Sequence, residues 1–238
     1  MLFALRLRFD GGLLDVGVNL GQTLIQWERC GGGMYLGIEP NPECVAYAKS
    51  LARENGFENI TIVPAALSDR AGMIKLDFYT DSEFDSSASI VPHFRDDRPV
   101  CKSEYIASIT GTELLSEFGM KDVSIVKIDV EGAELMVLRQ LEPLFATTRP
   151  VIIMETLPAY SASNCARIEA QSCIEDLLAF HDYDLFRLEH DAVHLFGVRK
   201  LEAFGIYSDI AMSDHLLVPR EYVCDLQGVA AERGLTFR

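Results

Sequence analysis

The hydrophobic and polar positions of the chain fall into two repeating kinds of segment. Short apolar runs have the length and composition of buried strands, and they cover 13–15, 34–38, 59–68, 123–129 and 150–155. Longer segments of helical composition alternate with them, and they cover 20–29, 43–55, 112–118, 134–145 and 172–181. This alternation predicts an α/β fold with a doubly wound, mostly parallel sheet and right-handed crossovers.

Other segments complete the predicted elements. Residues 73–80 alternate as a strand with one exposed face, and 183–189 and 215–218 predict two final strands that pair antiparallel on one edge. Residues 81–102 are polar and irregular. Because a loop of this length is uncommon unless it shapes a binding site, we expect it on the substrate side of the protein.

The sequence predicts one domain over 1–238, since no linker, repeat or low-complexity tract interrupts it. Its core motifs would occupy 13–157. Residues 158–238 would supply the C-terminal part of the sheet and its edge strands.

Composition and charge narrow the classes of partner. The 238 residues carry 21 basic and 36 acidic side chains, a net charge of −15, so we expect no nucleic-acid partner. No window reaches the ~20 apolar residues of a membrane span. The first residues lack the pattern of a secretory signal, so we expect a cytoplasmic protein without membrane contact. The six cysteines form no C-x-x-C pair, which predicts free thiols.

The segment from Leu13 to Gln22 predicts a strand, a glycine-bearing turn and the first turn of a helix. Such a turn aims unpaired backbone N–H groups and the helix dipole at a ligand. Gly17 and Gly21 allow the backbone to bend and to approach that ligand closely. The alternative is a tight strand-to-helix turn with nothing bound.

Acidic residues end several predicted strands, at the edge where open α/β sheets bind ligands. Asp15 ends the first strand, Glu39 the second and Asp129 the fourth. Glu39 lies 22 residues after Gly17, where a carboxylate accepts hydrogen bonds from the ribose hydroxyls of either NAD or S-adenosylmethionine. A solvated loop acid is the alternative for Glu39.

The glycine turn discriminates between these two ligands. A dinucleotide site normally has G-x-G-x-x-G, but Asn19 stands at the second glycine position and Asp15 precedes the turn. A carboxylate beside a pyrophosphate is unfavourable, whereas one beside a sulfonium and an ammonium group is favourable. The pattern therefore disfavours NAD.

Three ordered motifs make the sequence similar to a known family. D-V-G-V-N-L-G, E-P-N-P and K-I-D-V-E-G-A-E, within a match from Leu13 to Glu155, resemble the FkbM family of S-adenosylmethionine-dependent methyltransferases. The resemblance implies a seven-stranded Rossmann-like sheet of the class I methyltransferase type with an antiparallel edge. It also implies S-adenosylmethionine as cofactor and O-methylation of a hydroxyl on a sugar, a glycoside or another small metabolite.

The resemblance assigns residues to the methionine part of the cofactor. Asp15, Gly17, Asn19 and Gly21 would line it. Asp129 would lie beneath the methyl donor, with its backbone near the cofactor's amino group.

The resemblance also assigns residues to the nucleoside part of the cofactor. Glu39 would hold the ribose, and Pro40 would lie near the adenine. Ala66 and Leu67, at the end of the third strand, would flank the adenine from the other side. Members of the family usually carry a longer segment before the first motif than residues 1–12.

Methyl transfer to an alcohol needs a near-attack geometry and removal of the hydroxyl proton. The candidate catalytic residues are Asp129, Glu131 and His93. For Glu131 the alternative is an acid in the first turn of a helix, and for His93 it is a surface histidine. Lys127, inside the strand, is a further candidate near the site, and the alternative for it is an ion pair with Asp129, Glu131 or Glu155.

We expect no metal ion. His190, Asp191 and His194 have a spacing that suggests ligands, but they lie among strand-like residues. Asp129 with Glu155 is a second alternative, for which the sequence offers no third ligand.

Two other functions stay open at this point: a non-catalytic nucleotide- or cofactor-binding protein, and an NAD-dependent oxidoreductase. The expected partner is a small hydroxylated acceptor, and a homo-oligomer is left open.

Overall fold

A computed structural model describes residues 5–6, 8–92, 94–95, 98–191 and 194–238. Its strands are β1 (Gly12–Val16), β2 (Tyr35–Ile38), β3 (Ile60–Val63), β4 (Ala66–Leu67), β5 (Gly72–Phe78), β6 (Lys102–Ile109), β7 (Val123–Ile128), β8 (Val151–Glu155), β9 (Tyr183–His190), β10 (Leu195–Leu201), β11 (Asp214–Pro219) and β12 (Thr236–Phe237). Its α-helices are α1 (Gln22–Arg29), α2 (Pro42–Glu54), α3 (Gly111–Phe118), α4 (Glu134–Gln140), α5 (Glu142–Ala146), α6 (Cys165–Phe180) and α7 (Val223–Glu232).

The main sheet has the strand order β12-β10-β9-β11-β8-β7-β1-β2-β3. Neighbouring strands from β8 to β3 are parallel, whereas β11 is antiparallel to both β8 and β9. This confirms the predicted doubly wound α/β fold. The sheet has nine strands rather than the expected seven, because β10 and β12 continue it beyond β9.

The two C-terminal strands predicted from the sequence, β9 and β11, pair antiparallel as expected. Their expected place at the edge is wrong, because β10 pairs with the other side of β9 and β12 pairs with β10. Both strands are therefore inside the sheet.

A second, three-stranded sheet has the order β4-β6-β5. The predicted strand 59–68 divides between the two sheets, because β3 ends at Val63 and Ala66–Leu67 pair with β6. Ala66 and Leu67 thus do not end the third strand. The strand β6, which the sequence pattern did not predict, is half exposed and pairs with β5 along its length.

Helices cover both faces of the main sheet, as its buried strands require. On one face, Leu24 and Trp27 of α1 pack with residues of α2 and α7. On the other, Leu114 of α3 packs with residues of α4, α5 and α6. All six cysteines are free, and no helix of the described chain is long and apolar enough to cross a membrane.

Several helices begin or end at residues other than the predicted ones, and a single capping side chain sets some of these ends. Asn41 caps α2, which starts at Pro42 rather than at the predicted residue 43, and its side chain accepts a hydrogen bond from the Glu43 N–H. The predicted helix 134–145 is two helices that meet at Leu141. Helix α6 begins at Cys165, seven residues before the predicted start, because Asn164 caps it.

Candidate functional site

A cavity of about 310 Å³ lies at the carboxyl ends of the parallel strands. It contains most of the predicted site residues: Gly17, Asn19, Glu39, Pro40, Ala66, Leu67, Asp129 and Glu131. Asp15 and Gly21 lie outside its wall, and His93 lies outside the described residues.

Gly17 forms the floor of this cavity, and only glycine fits there. Its φ of +93° is in the left-handed region, and an ideal Cβ would lie 1.8 Å from the carbonyl oxygen of Asp129. The Asp129 N–H donates to the Val16 carbonyl at 2.9 Å. The turn after β1 is therefore packed directly on the backbone that follows β7.

Glu39 is held rigidly at the end of β2. The Asn19 N–H donates to Oε2 at 2.7 Å, and the Asn41 N–H donates to Oε1 at 2.8 Å. The carboxylate is 6% exposed, and burial raises its pKa to about 7 although both N–H groups lower it. Each oxygen keeps a further lone pair that can accept a hydrogen bond from a ligand hydroxyl.

Asp15 acts from beneath the turn rather than on the cavity wall. It is 0% exposed, and its Oδ2 accepts a hydrogen bond of 2.5 Å from the Tyr35 hydroxyl. Burial raises its pKa to about 6, against the lowering effect of Lys127. Gly21 supports helix packing, since its ideal Cβ would lie 3.0 Å from Leu51 Cδ2.

The loop 81–102 contributes residues that the sequence did not single out. Asp85, Ser86, Ala88 and Ile90 line the cavity beside Ala66 and Leu67. Asp85 is buried and accepts hydrogen bonds from the Tyr79, Thr80 and Ser87 N–H groups at 2.6, 2.9 and 3.0 Å. The D-S-S sequence there is typical of an Asx turn and was the signal that could have identified it.

The opposite end of the cavity is acidic, and Lys127 lies next to it without lining its wall. Lys127 Nζ lies 3.0 Å from Asp129 Oδ2, which confirms the ion-pair alternative for this lysine. Burial lowers the pKa of Lys127, but the carboxylates of Asp129, Asp15 and Glu155 more than reverse this and raise it. Glu155, which also lines the cavity, has a pKa raised to about 7 by burial and by Asp129.

Glu131 belongs to a turn rather than to a helix. Its φ is +48°, and α4 begins only at Glu134, so the alternative of a first-turn helix acid is wrong. The Ser89 hydroxyl donates to the Glu131 carbonyl at 2.7 Å, and Arg95 pairs with the carboxylate at 2.8 Å. Burial raises the pKa of Glu131 to about 7 despite Arg95.

The residues considered as metal ligands do not converge. His190 Nε2 lies 2.8 Å from Asp214, whereas the His194 side chain is 79% exposed. Among the described residues, no group of three His, Cys, Asp or Glu side chains is placed to hold a metal ion, and this includes Asp129 with Glu155.

Comparison with known proteins agrees with this geometry. Residues 15–185 match the model of the methyltransferase FkbM domain, a match that argues against an NAD-dependent oxidoreductase. The fold is similar to a methyltransferase FkbM from Methylobacillus flagellatus KT, with a TM-score of 0.54 at 13% identity over 87% of this chain. This chain spans 43% of that protein.

A putative caffeoyl-CoA O-methyltransferase from Staphylococcus aureus has a TM-score of 0.51 at 12% identity, over 91% of this chain and 79% of that one. At these identities the two likenesses concern the fold. No curated protein matches the sequence significantly. Since the family model covers well over half of the chain, the chain belongs to the FkbM methyltransferase family.

Proposed function

We propose that this protein is an S-adenosylmethionine-dependent methyltransferase that methylates a hydroxyl group of a small metabolite, such as a sugar or a glycoside. One observation carries the proposal. The same cavity has Gly17, where bare backbone forms the floor, and the Glu39 carboxylate, which two backbone N–H groups hold in place. The family assignment supplies the reaction class.

The residues of the cavity fit S-adenosylmethionine. Gly17 allows a ligand to lie against bare backbone, and the free lone pairs of Glu39 suit the two ribose hydroxyls. Ala66 and Leu67 offer an apolar surface to the adenine. Asp129 and Glu155 give the far end a negative potential that suits the sulfonium and ammonium groups.

When bound, the cofactor supplies an electrophilic methyl group. The protein must then hold the acceptor hydroxyl in line with that methyl and accept its proton. Glu131 and Glu155 line the acidic end, and a carboxylate with a pKa of about 7 is suited to take a proton near neutral pH. Glu131 is already paired with Arg95, so Glu155, which is not among the predicted catalytic residues, is the stronger candidate for the base.

Calorimetric titration tests the cofactor. We expect S-adenosylmethionine and S-adenosylhomocysteine to bind, and NAD to give no heat of binding. Tight NAD binding without S-adenosylmethionine binding would contradict the proposal.

Transfer of labelled methyl groups tests catalysis. Incubation with labelled S-adenosylmethionine and a panel of sugars, glycosides and nucleotide sugars is expected to label a hydroxyl oxygen of an acceptor. Label in any acceptor excludes the alternative of a non-catalytic binding protein. If the label is found only on nitrogen or carbon atoms, the protein is an N- or C-methyltransferase and the proposed O-methylation is wrong.

A further inference from the structure

A second cavity, of about 300 Å³, lies beside the acidic end of the first. We call it the Arg167 cavity, and the residues that define it are Phe94, Gly132, Glu134, Thr156, Asn164 and Arg167. Two of these directly follow residues of the first cavity, since Gly132 follows Glu131 and Thr156 follows Glu155. The Arg167 cavity is therefore next to the place where the acceptor hydroxyl would react.

Arg167 is the cation of this cavity. Its guanidinium stacks on the rings of Phe94 and Tyr160, with centroid distances of 5.3 and 5.6 Å. One nitrogen, Nη1, donates to the Pro158 carbonyl at 2.8 Å. Within the described part of the chain Arg167 forms no ion pair, so its remaining N–H groups are available to a ligand in a protein of net charge −15.

The stacking also fixes the position of the guanidinium. Phe94 packs against Gly132, where an ideal Cβ would lie 2.3 Å from the Phe94 ring. Asn164 caps α6 and accepts a hydrogen bond from the Arg167 N–H at 3.3 Å. Arg167 therefore lies in the first turn of a sixteen-residue helix, whose dipole adds positive potential at the same point.

Thr156 gives an independent indication of a ligand. The residue is 4% exposed and lies on the cavity wall, yet its Oγ1 has no hydrogen-bond partner among the described residues. A buried hydroxyl without a partner is unfavourable, and a ligand oxygen in the cavity would satisfy it.

The acid on this wall, Glu134, is buried, which raises its pKa to about 7, although Arg167 lowers that pKa. Its Oε1 accepts a hydrogen bond of 2.8 Å from the Gly132 N–H. Arg167 and Thr156 are thus left as groups that can donate to a ligand.

We propose that the Arg167 cavity binds an anionic group of the methyl acceptor, a carboxylate or a phosphate, through the Arg167 guanidinium and the Thr156 hydroxyl. That the bound anion belongs to the acceptor rests on the proposed function. Planar, bidentate recognition by a guanidinium is strong for both groups. The acceptor class is then a hydroxylated acid or a phosphorylated metabolite rather than a neutral sugar.

Ligand-observed saturation-transfer NMR tests the proposal with three probes: benzoate, phenyl phosphate and the neutral benzamide. Each is titrated into the full chain, alone and with saturating S-adenosylhomocysteine. We expect benzoate or phenyl phosphate to bind in the millimolar range and more tightly than benzamide. Whichever anion binds more tightly identifies carboxylate or phosphate as the preferred group.

The variants separate a specific site from a general effect of charge. Arg167→Gln is expected to weaken anion binding about tenfold or more, and Arg167→Lys to restore part of it. Thr156→Val, which keeps the shape and removes the hydroxyl, is expected to weaken it about threefold. Arg53→Gln, at an exposed position on α2, removes the same charge and is expected to leave binding unchanged.

Three results would overturn the proposal: neither anion binds, benzamide binds as tightly as the anions, or Arg167→Gln and Arg167→Lys both bind like the natural protein. Displacement of the anion by S-adenosylhomocysteine would also overturn it, because the anion would then occupy the first cavity. A further result separates the two proposals. If S-adenosylhomocysteine does not bind but anion binding is still weakened by Arg167→Gln, the proposed function is wrong and the anion site is supported.

Discussion

The two halves of the main sheet distribute their charges in opposite ways. In the parallel half, β3-β2-β1-β7-β8, three acids lie at or beside the carboxyl ends of strands: Asp15 one residue before the end of β1, Glu39 directly after β2, and Glu155 at the end of β8. Their pKa values are raised, chiefly by burial. In the antiparallel half, β11-β9-β10-β12, acidic side chains form salt bridges with basic ones. Asp184 pairs with Lys200 and Arg220, and Glu189 pairs with Arg199 and Arg238.

Strand direction accounts for this difference. Parallel strands bring all their carboxyl ends to one edge, so acids at strand ends converge on a single cavity. Antiparallel strands place side chains from opposite ends beside each other, so acids and bases can pair across the sheet. An excess of buried acid thus distinguishes the half that contains the first cavity, and five substitutions test this contrast.

The largest effect is expected for Gly17→Ala in the parallel half. The added Cβ would overlap the Asp129 carbonyl oxygen, and the turn must move. We expect a loss of more than ~5 kcal/mol in the free energy of unfolding, or no folded protein, by urea denaturation.

Gly31→Ala is the matched control for this substitution. Gly31 has a similar φ of +102°, but no atom lies within 4 Å of its ideal Cβ. It should cost only about 1 kcal/mol for the backbone conformation. Equal losses at the two positions would show that the contact with Asp129 is unimportant.

A smaller effect concerns His215, the buried histidine of the antiparallel half. Burial and the nearby Arg187 lower its pKa to about 3, against the raising effect of the Ser213 backbone. Because the folded-state pKa lies below 6.5, the contribution to stability is present above pH 6.5 and is lost as the pH falls towards 3.

His215→Phe should remove this pH dependence. We expect the natural protein to lose about 3 kcal/mol relative to the variant between pH 6.5 and about pH 4, measured by chemical unfolding. His194→Gln, at an exposed position, should leave the pH profile as it is. Parallel profiles for the natural protein and His215→Phe would argue that the ring is solvated in the folded state.

Asp15 in the parallel half should show the opposite pH dependence. Burial raises its pKa from 3.8 to about 6, so its contribution is fully present below pH 3.8 and is lost as the pH rises through 6. Asp15→Asn should therefore abolish a loss of about 2 kcal/mol between about pH 4 and pH 6. Asp10→Asn, an exposed acid, is the control, and an unchanged slope in Asp15→Asn would mean that Asp15 does not titrate in this range.

Glu39→Ala addresses ligand binding in the parallel half. We expect the affinity for S-adenosylmethionine to fall at least about tenfold, or about 1.4 kcal/mol, because the ribose loses its acceptor. Glu43→Ala, two residues into α2 and exposed, removes the same charge as a control. Calorimetric titration measures both, and an affinity for Glu39→Ala equal to that of the control would remove Glu39 from the site.

The smallest effect is expected for Lys200→Met in the antiparallel half. Lys200 pairs with Asp184 at 2.5 Å on the surface, and Asp184 keeps Arg220 as a second partner. The loss of stability should be about 0.5 kcal/mol by urea denaturation and should shrink in high salt. A loss above 2 kcal/mol, or no salt dependence, would contradict the view that this half is held by ordinary surface pairs.

The parallel half was also the half that the sequence predicted well. Its strands are buried on both faces, so β1, β2, β7 and β8 appear as continuous apolar runs that end in acids and glycines. Glu39 and Asp129 directly follow two of these strands, which is why the strand pattern alone predicts them, whereas Ala66 and Leu67 were implied only by the family resemblance.

The strands of the antiparallel half and of the small sheet are harder to predict from the hydrophobic pattern of the sequence. The strand β10 contains Gly197 and three exposed residues, and β6 exposes Ser103, Tyr105 and Ala107, so neither has a clear apolar run. The start of α6 depends on one cap bond of Asn164 in a stretch of small and polar residues. The Arg167 cavity could not be predicted either, because it joins side chains from the loop, the turn after β7 and α6.

The contact of Gly17 with the backbone of Asp129 has a consequence for how the chain folds as it leaves the ribosome. The strand β1 lies between β2 and β7, so a nascent chain that ends before Val123 has β1 with one unpaired side. The floor of the first cavity cannot close until β7 has been made. A ligand of this cavity could therefore stabilise the protein only late in its synthesis, and until then the open strand edge must be protected from aggregation in some other way.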